Sequence, residues 1–163
     1  MNHMERICLF PGTFDPVTLG HTDIIDRALP LFDKLVVGIG KNVNKHPMFS
    51  DVQRLDWLKT IYKDNDKVEA LLYEGLTVDC CKKIGAKFIL RGIRYVNDFE
   101  YEKAIADMNR SIENVETVFL TCLPQFTSVA STLVRDVLKN GGDVSKFLPD
   151  VVNATIKQMD ITL

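Results

Sequence analysis

The chain has 163 residues, 46% of them hydrophobic and 26% charged, enough apolar material for one domain with a substantial core and too little for two. A net charge of −2 excludes a global basic field for gripping nucleic acid or anionic lipid, while leaving room for a small local phosphate site. No apolar run reaches membrane-spanning length and the N-terminus lacks the basic-then-apolar layout of a secretory signal, so a cytoplasmic location is expected.

Residues 1–5 read as a tail, and the first strand is expected over Arg6–Phe10. It empties into Pro11-Gly12-Thr13-Phe14-Asp15-Pro16, and a helix follows from about Gly20 to Leu29, ended by Pro30. A second strand, Lys34–Ile39, is an unbroken apolar run of the kind buried on both faces. Ser50 and Gln53 form a capping box that opens the second helix, with Leu55, Leu58, Ile61 and Tyr62 on one stripe. Next come a strand over Lys67–Leu72, a helix over Thr77–Ile84 stopped by Gly85, and a strand over Lys87–Leu90. A fourth helix is predicted from Asp98 to Ser111, with Tyr101, Ile105, Met108 and Ile112 at helical spacing. A strand over Val115–Cys122, a helix from about Ser128 to Lys139 and a C-terminal helix over 149–163 complete the chain.

This alternation predicts an α/β architecture: a Rossmann-like, doubly wound, five-stranded parallel sheet with helices on both faces. Ligands of such sheets bind at the carboxyl ends of the strands, where residues 11–21, 41–48, 91–94 and 125–132 should meet. Cys8, Cys80, Cys81 and Cys122 lack metal-ligand spacing and read as reduced thiols, so no metal site is expected.

The turn at 11–21 ends at a helix start, whose free N–H groups and positive dipole end attract phosphate, and Thr13 and His21 add side-chain donors there. It is not a P-loop, since no G-x-x-x-x-G-K-[ST] is present. Gly38-Ile39-Gly40 fails as a dinucleotide fingerprint because Val43 occupies the third glycine position. Lys41 and Lys45 follow the second strand, and Arg91 and Arg94 bracket Gly92-Ile93 after the fourth. Guanidinium forks match phosphate oxygens, and the alternative for these arginines is an ion pair with Asp98 or Glu102. Thr127, Ser128, Ser131 and Thr132 offer hydroxyls at a second helix start, where Ser and Thr also serve as plain caps. No Ser-His-Asp set, Cys-His pair or carboxylate dyad stands out. An attacking group that is already an ionised phosphate needs none, only alignment and neutralisation of charge.

Thr18-Leu19-Gly20-His21 resembles the T/H-x-G-H motif of the nucleotidyltransferase superfamily, and Val129-Ala130-Ser131-Thr132-Leu133-Val134-Arg135 resembles its I-S-S-T-x-x-R motif. These two leave the acceptor open among members such as those acting on nicotinamide mononucleotide. Lys45-His46-Pro47-Met48-Phe49 and the stretch from Arg91-Gly92-Ile93-Arg94 through Asp98–Glu102 to Met108-Asn109 resemble the bacterial phosphopantetheine adenylyltransferase family, nearly end to end.

The resemblance implies one nucleotidyltransferase domain over 1–163 and adenylyl transfer from ATP to 4′-phosphopantetheine, by direct in-line attack on the α-phosphate. It places His21 at the α-phosphate, Thr13 on the attacking phosphate, and Lys45 and Arg91 on the phosphopantetheine phosphate, with Thr77 along the pantetheine arm. Phe14, Gly92, Ile93, Arg94 and Glu102 would contact ATP together with Phe126, Thr127, Ser128, Val129, Ala130, Ser131 and Thr132. Mg²⁺ would be carried by the ATP phosphates, coenzyme A would act as feedback ligand, and the assembly would be a homohexamer. Ala130 stands where many relatives carry Ser, and Thr77 where they carry a larger apolar residue.

Overall fold

A computed structural model describes residues 5–41 and 46–159. Five strand–helix units follow one another: β1 (Ile7–Gly12) and α1 (Leu19–Ala28), β2 (Lys34–Lys41) and α2 (Asp51–Ile61), β3 (Val68–Glu74) and α3 (Thr77–Ile84), β4 (Phe88–Ile93) and α4 (Val96–Glu113), β5 (Glu116–Thr121) and α5 (Ser131–Lys139). A last helix, α6 (Asp150–Gln158), follows Pro149. All strand pairs are parallel, in the order β3-β2-β1-β4-β5.

Side chains alternate across the sheet and so divide the core in two. Cys8, Phe10, Leu35, Val37 and Leu90 pack with Ile24 and Ile25 of α1, Trp57 and Leu58 of α2, Val134 of α5 and Val152 and Ile156 of α6. Leu9, Val36 and Ile89 point the other way, onto Cys80 and Cys81 of α3. Helices therefore cover both faces, as expected of a doubly wound sheet.

Chain order reverses between β1 and β4, which makes their carboxyl ends the switch point at which a crevice opens. The β1–β2 register runs through Gly12↔Ile39, whereas β1 and β4 register only at Cys8↔Phe88 and Leu9↔Ile89. Beyond Leu9 the two strands separate, and the crevice starts in that gap.

Several boundaries differ from expectation. β1, β2, β3 and β4 run past their apolar stretches to Gly12, Lys41, Glu74 and Ile93, so Arg91, Gly92 and Ile93 lie in β4 rather than after it. α4 begins at Val96 because Asp98 is its third residue, where its carboxylate accepts from the N–H groups of Arg94 and Tyr95 at 3.1 and 3.3 Å. α5 begins at Ser131, since Pro124–Phe126 form a 3₁₀ turn and leave Thr127 and Ser128 in the connection. Pro30 falls in a 3₁₀ turn that ends α1 at Ala28, as expected of a residue without an N–H.

Candidate active site

The imidazole of His21 is held from two sides. Thr18 is the N-cap of α1, and its backbone N–H donates to Nδ1 of His21, the third helical residue, at 3.0 Å. This is one half of a capping box in which imidazole takes the place of the usual Glu or Gln. The ring of Phe14 meets it edge-on with centroids 4.9 Å apart. Burial, followed by the nearby charges of Arg94 and Arg91, pushes the His21 pKa down to about 4. The ring is therefore neutral at pH 7. With Nδ1 accepting, its proton belongs on Nε2, which has no protein partner among the described residues. The result is a neutral N–H donor at the mouth of a helix.

The turn before α1 is tightly wound. Phe14 adopts a left-handed φ of +49° and lays its ring over Gly12, where a Cβ would come within 2.9 Å of it. Asp15, 2% exposed, accepts from the backbone N–H groups of Met48 and Phe49 at 2.8 and 2.9 Å. Arg54, 1% exposed, donates to the carbonyls of Thr13 and Phe49 and pairs with Asp51.

The second helix start is stitched onto the same turn. A Cβ on Gly20 would lie 3.2 Å from the Val129 carbonyl, so glycine lets the first turn of α1 press against the segment leading into α5. Ser131 Oγ donates to the Pro16 carbonyl at 2.8 Å, and Arg135 Nη1 to the Asp15 carbonyl at 2.6 Å. Ala130 is the N-cap of α5, and the N–H groups of its first turn lack helical acceptors. Two helix N-termini thus face one space, as the sequence motifs suggested.

Arg91 fills the gap between β1 and β4. Its Nε donates to Glu102 at 2.7 Å, Nη2 to the same carboxylate, and Nη1 to the Pro11 carbonyl at 2.7 Å. A guanidinium has five N–H donors, so two stay available while these three bonds fix its plane. Arg94 pairs with Asp98 at 3.3 Å. The ion-pair alternative is thus realised for both arginines, and for Arg91 it coexists with free donors.

A cleft of about 780 Å³ collects Thr13, Phe14, His21, Arg91, Gly92, Arg94 and Glu102 along with Val129, Ala130, Ser131 and Thr132. Phe126, Thr127, Ser128 and the buried Ile93 stand outside its lining. A second cleft of about 960 Å³ adjoins it and holds Lys41, Tyr73 and Thr77, whose hydroxyl lies 3.1 Å from that of Tyr73. The two clefts share a wall that includes Thr13, Pro47, Arg91 and Glu102. Lys45 lies outside the described residues.

Among the described residues no group of three or more His, Cys, Asp or Glu side chains is arranged to hold a metal ion. The acids nearest the cleft are already engaged: Glu102 and Asp98 by arginines, Asp15 by backbone amides. None of the helices described is long and apolar enough to cross a membrane.

Sequence reasoning missed Asp15, Arg54 and Arg135. Asp15 and Arg135 lie inside the quoted motifs, which was the available signal. Arg54 gives none, because an arginine early in an amphipathic helix reads as part of a solvated face.

A parallel sheet with its crevice at the strand ends and two helix starts aimed at one pocket is an arrangement suited to holding nucleotide phosphates. A family model described as cytidylyltransferase-like matches residues 9–137. The chain is 50% identical over 147 residues to a phosphopantetheine adenylyltransferase of Flavobacterium psychrophilum, covering 90% of this chain and 97% of that one. It is 44% identical over 145 residues to the protein of that name from Bacteroides thetaiotaomicron, covering 89% and 96%. The chain belongs to the phosphopantetheine adenylyltransferase family. In fold it is similar to the crystal structure of a protein of Vibrio parahaemolyticus described as a putative nicotinate-nucleotide adenylyltransferase, with a TM-score of 0.70, 23% identity, and coverage of 95% of this chain and 93% of that one.

Proposed function

We propose that this site transfers the adenylyl group of ATP to 4′-phosphopantetheine, forming dephospho-coenzyme A and pyrophosphate. The carrying observation is the pair of adjoining clefts whose common wall holds Thr13 and Arg91 beside the His21 ring. ATP takes the cleft with the two helix starts, its phosphates on the N–H groups of Ser131 and Thr132, on the Thr132 hydroxyl, on Arg94 and on His21. Phe14, Gly92 and Ile93 complete the nucleotide side, with Phe126–Ser128 shaping the segment behind it. The acceptor takes the second cleft, its arm along Tyr73 and Thr77 and its phosphate at the shared wall, within reach of Thr13 and Arg91; the role of a further cation on that phosphate falls to Lys45, as the resemblance implies.

An oxygen of the acceptor phosphate attacks the ATP α-phosphorus in line. A new P–O bond forms as the bond to the pyrophosphate oxygen breaks, and the negative charge of the attacking oxygen passes to the departing pyrophosphate, so the total charge is unchanged. No enzyme base is required. The chemical demand is to hold two repelling anions together and to stabilise charge on the α-phosphate oxygens. Neutral Nε2–H of His21 donates there with no proton transfer, and Glu102 serves by fixing the Arg91 plane. The acids of the cleft do not fit a protein-held metal, so Mg²⁺ arrives as part of the nucleotide substrate, on its phosphate oxygens.

The same reading extends to a single-domain enzyme of the cytoplasm with coenzyme A as feedback ligand. It also places a second copy of the chain on α4, where Tyr101, Met108 and Ile112 are 70%, 66% and 52% exposed on a helix with no buried residue, as in a homohexamer. Incubation with ATP, Mg²⁺ and phosphopantetheine, followed by mass detection of dephospho-coenzyme A, tests the activity. Turnover with nicotinamide mononucleotide and none with phosphopantetheine contradicts it.

A further inference from the structure

Arg54 is the largest fully buried side chain among the described residues, at 1% exposure, and it sits in the opening turns of α2. A guanidinium removed from water needs its donors filled, and apolar residues of similar size usually serve stability as well or better. What an apolar side chain cannot do is join two loops by their carbonyls. Arg54 does this: Nε donates to Phe49 at 3.0 Å and Nη1 to Thr13, while Nη2 meets Asp51 on its own helix.

Asp15 completes the arrangement from the opposite side. Its carboxylate, 2% exposed, takes the N–H groups of Met48 and Phe49. Phe49 is therefore gripped at its N–H by one buried charge and at its carbonyl by another, and its ring is anchored edge-on against Trp57, with centroids 4.9 Å apart. The segment so held contributes His46 to the first cleft and Pro47 to both. Thr13, the other residue Arg54 binds, stands on the common wall of the two clefts.

We propose that Arg54, acting with Asp15, is a positioning residue that locks the segment at 46–49 onto the Thr13 turn, so that the acceptor half of the pocket is formed before either substrate arrives. Arg54 borders the second cleft but is sealed at 1% exposure with its donors turned to protein acceptors, so it acts through Thr13 and Phe49. The kinetic consequence rests on the acceptor assignment made above; the lock itself does not. Its predicted signature is selective: the acceptor side loosens while the nucleotide side, built on α1, α5 and β4, stays in place.

The test compares the full chain with its Arg54→Met and Arg54→Lys variants. In ligand-free protein, amide hydrogen exchange at Met48 and Phe49 should speed by about tenfold or more in Arg54→Met, while the β1–β2 ladder stays within about twofold. In turnover, KM for phosphopantetheine should rise by about tenfold or more, as a displaced positioning segment predicts, with KM for ATP changed by less than about threefold. Arg54→Lys, which keeps the charge and can reach one carbonyl, should lie between.

Unchanged exchange at 48–49 overturns the proposal. So does equal acceleration in the ladder, or an equal rise in both KM values, either of which marks Arg54 as a general structural residue. Should Arg54→Met fail to fold, Arg54→Lys and Asp15→Asn carry the same two readouts with the same expected direction, and failure of all three to fold also overturns it. Local exchange that behaves as expected in a wild-type protein inactive on phosphopantetheine refutes the acceptor assignment and leaves the lock standing.

Discussion

Replacing His21 by alanine removes two separate things, and their magnitudes differ enough to be told apart. The first is the Nε2–H donor aimed at the α-phosphate; losing one preorganised donor of this kind costs about 10²–10³ in kcat, or about 3–4 kcal/mol of transition-state stabilisation. The second is the Nδ1 acceptor that caps the Thr18 N–H at 3.0 Å, worth about 1 kcal/mol of stability as helix caps usually are. In a chain of this size that loss moves Tm by about 2–4 °C. His21→Ala should therefore fold, bind ATP nearly normally through the α5 start and Arg94, and turn over about 10²–10³ more slowly. Steady-state pyrophosphate release, ATP titration and thermal melts read the three quantities separately. Unchanged kcat would remove His21 from the chemistry. A rise in KM for ATP with kcat unchanged would show uniform binding rather than selective stabilisation of the transition state.

Stability should depend on acid through the same ring. Its native pKa, about 4, lies below the unfolded value near 6.5, so the unfolded chain binds the extra proton first. The contribution is fully present above pH 6.5 and is lost as pH falls through the native value. Urea unfolding at pH 7.5 and 4.5 should show up to about 3 kcal/mol more acid loss in wild type than in His21→Asn, and equal losses would contradict the pKa. Glu102→Gln should free the Arg91 plane and lower kcat/KM for phosphopantetheine about tenfold with little change in KM for ATP; equal effects on both substrates would count against the shared wall. Met108→Asp on the exposed stripe of α4 should dissociate the assembly in sedimentation or light scattering, and a wild type that is already monomeric would refute that contact.

The sheet was legible because buried parallel strands read as apolar runs, and the helices because Pro30, Ser50 and Gly85 punctuate them. Strand ends were not. Gly12 and Arg91 extend their strands by backbone pairing, which leaves no mark in side-chain pattern, and Lys41 and Glu74 add an ion pair at 3.0 Å between strands that neither run shows by itself. Helix starts failed where a tertiary bond outranked local preference: Ser128 is a better cap than Ala130, yet α5 begins where Ser131 can reach Pro16. The fourth helix was expected to open at Asp98, which proved to be its third residue, reaching back to the amides of Arg94 and Tyr95. The cleft residues Gly20, His21 and Ser131 announced themselves as motifs, because they answer to local geometry at helix starts. Arg54, the buried charge that holds Thr13 and Phe49, was silent. Whether Arg54 is solvated or sealed depends on residues 41 positions away, a relation that periodicity does not contain.

The account turns on two phosphates meeting directly at the wall of Thr13 and Arg91, with no enzyme-bound adenylyl group between them. Turnover of one diastereomer of ATP bearing sulfur on its α-phosphate, with the configuration of the dephospho-coenzyme A thiophosphodiester then read, tests this most directly. A single in-line displacement predicts inversion at phosphorus. Retention would mean two displacements through a covalent intermediate, and would contradict the account.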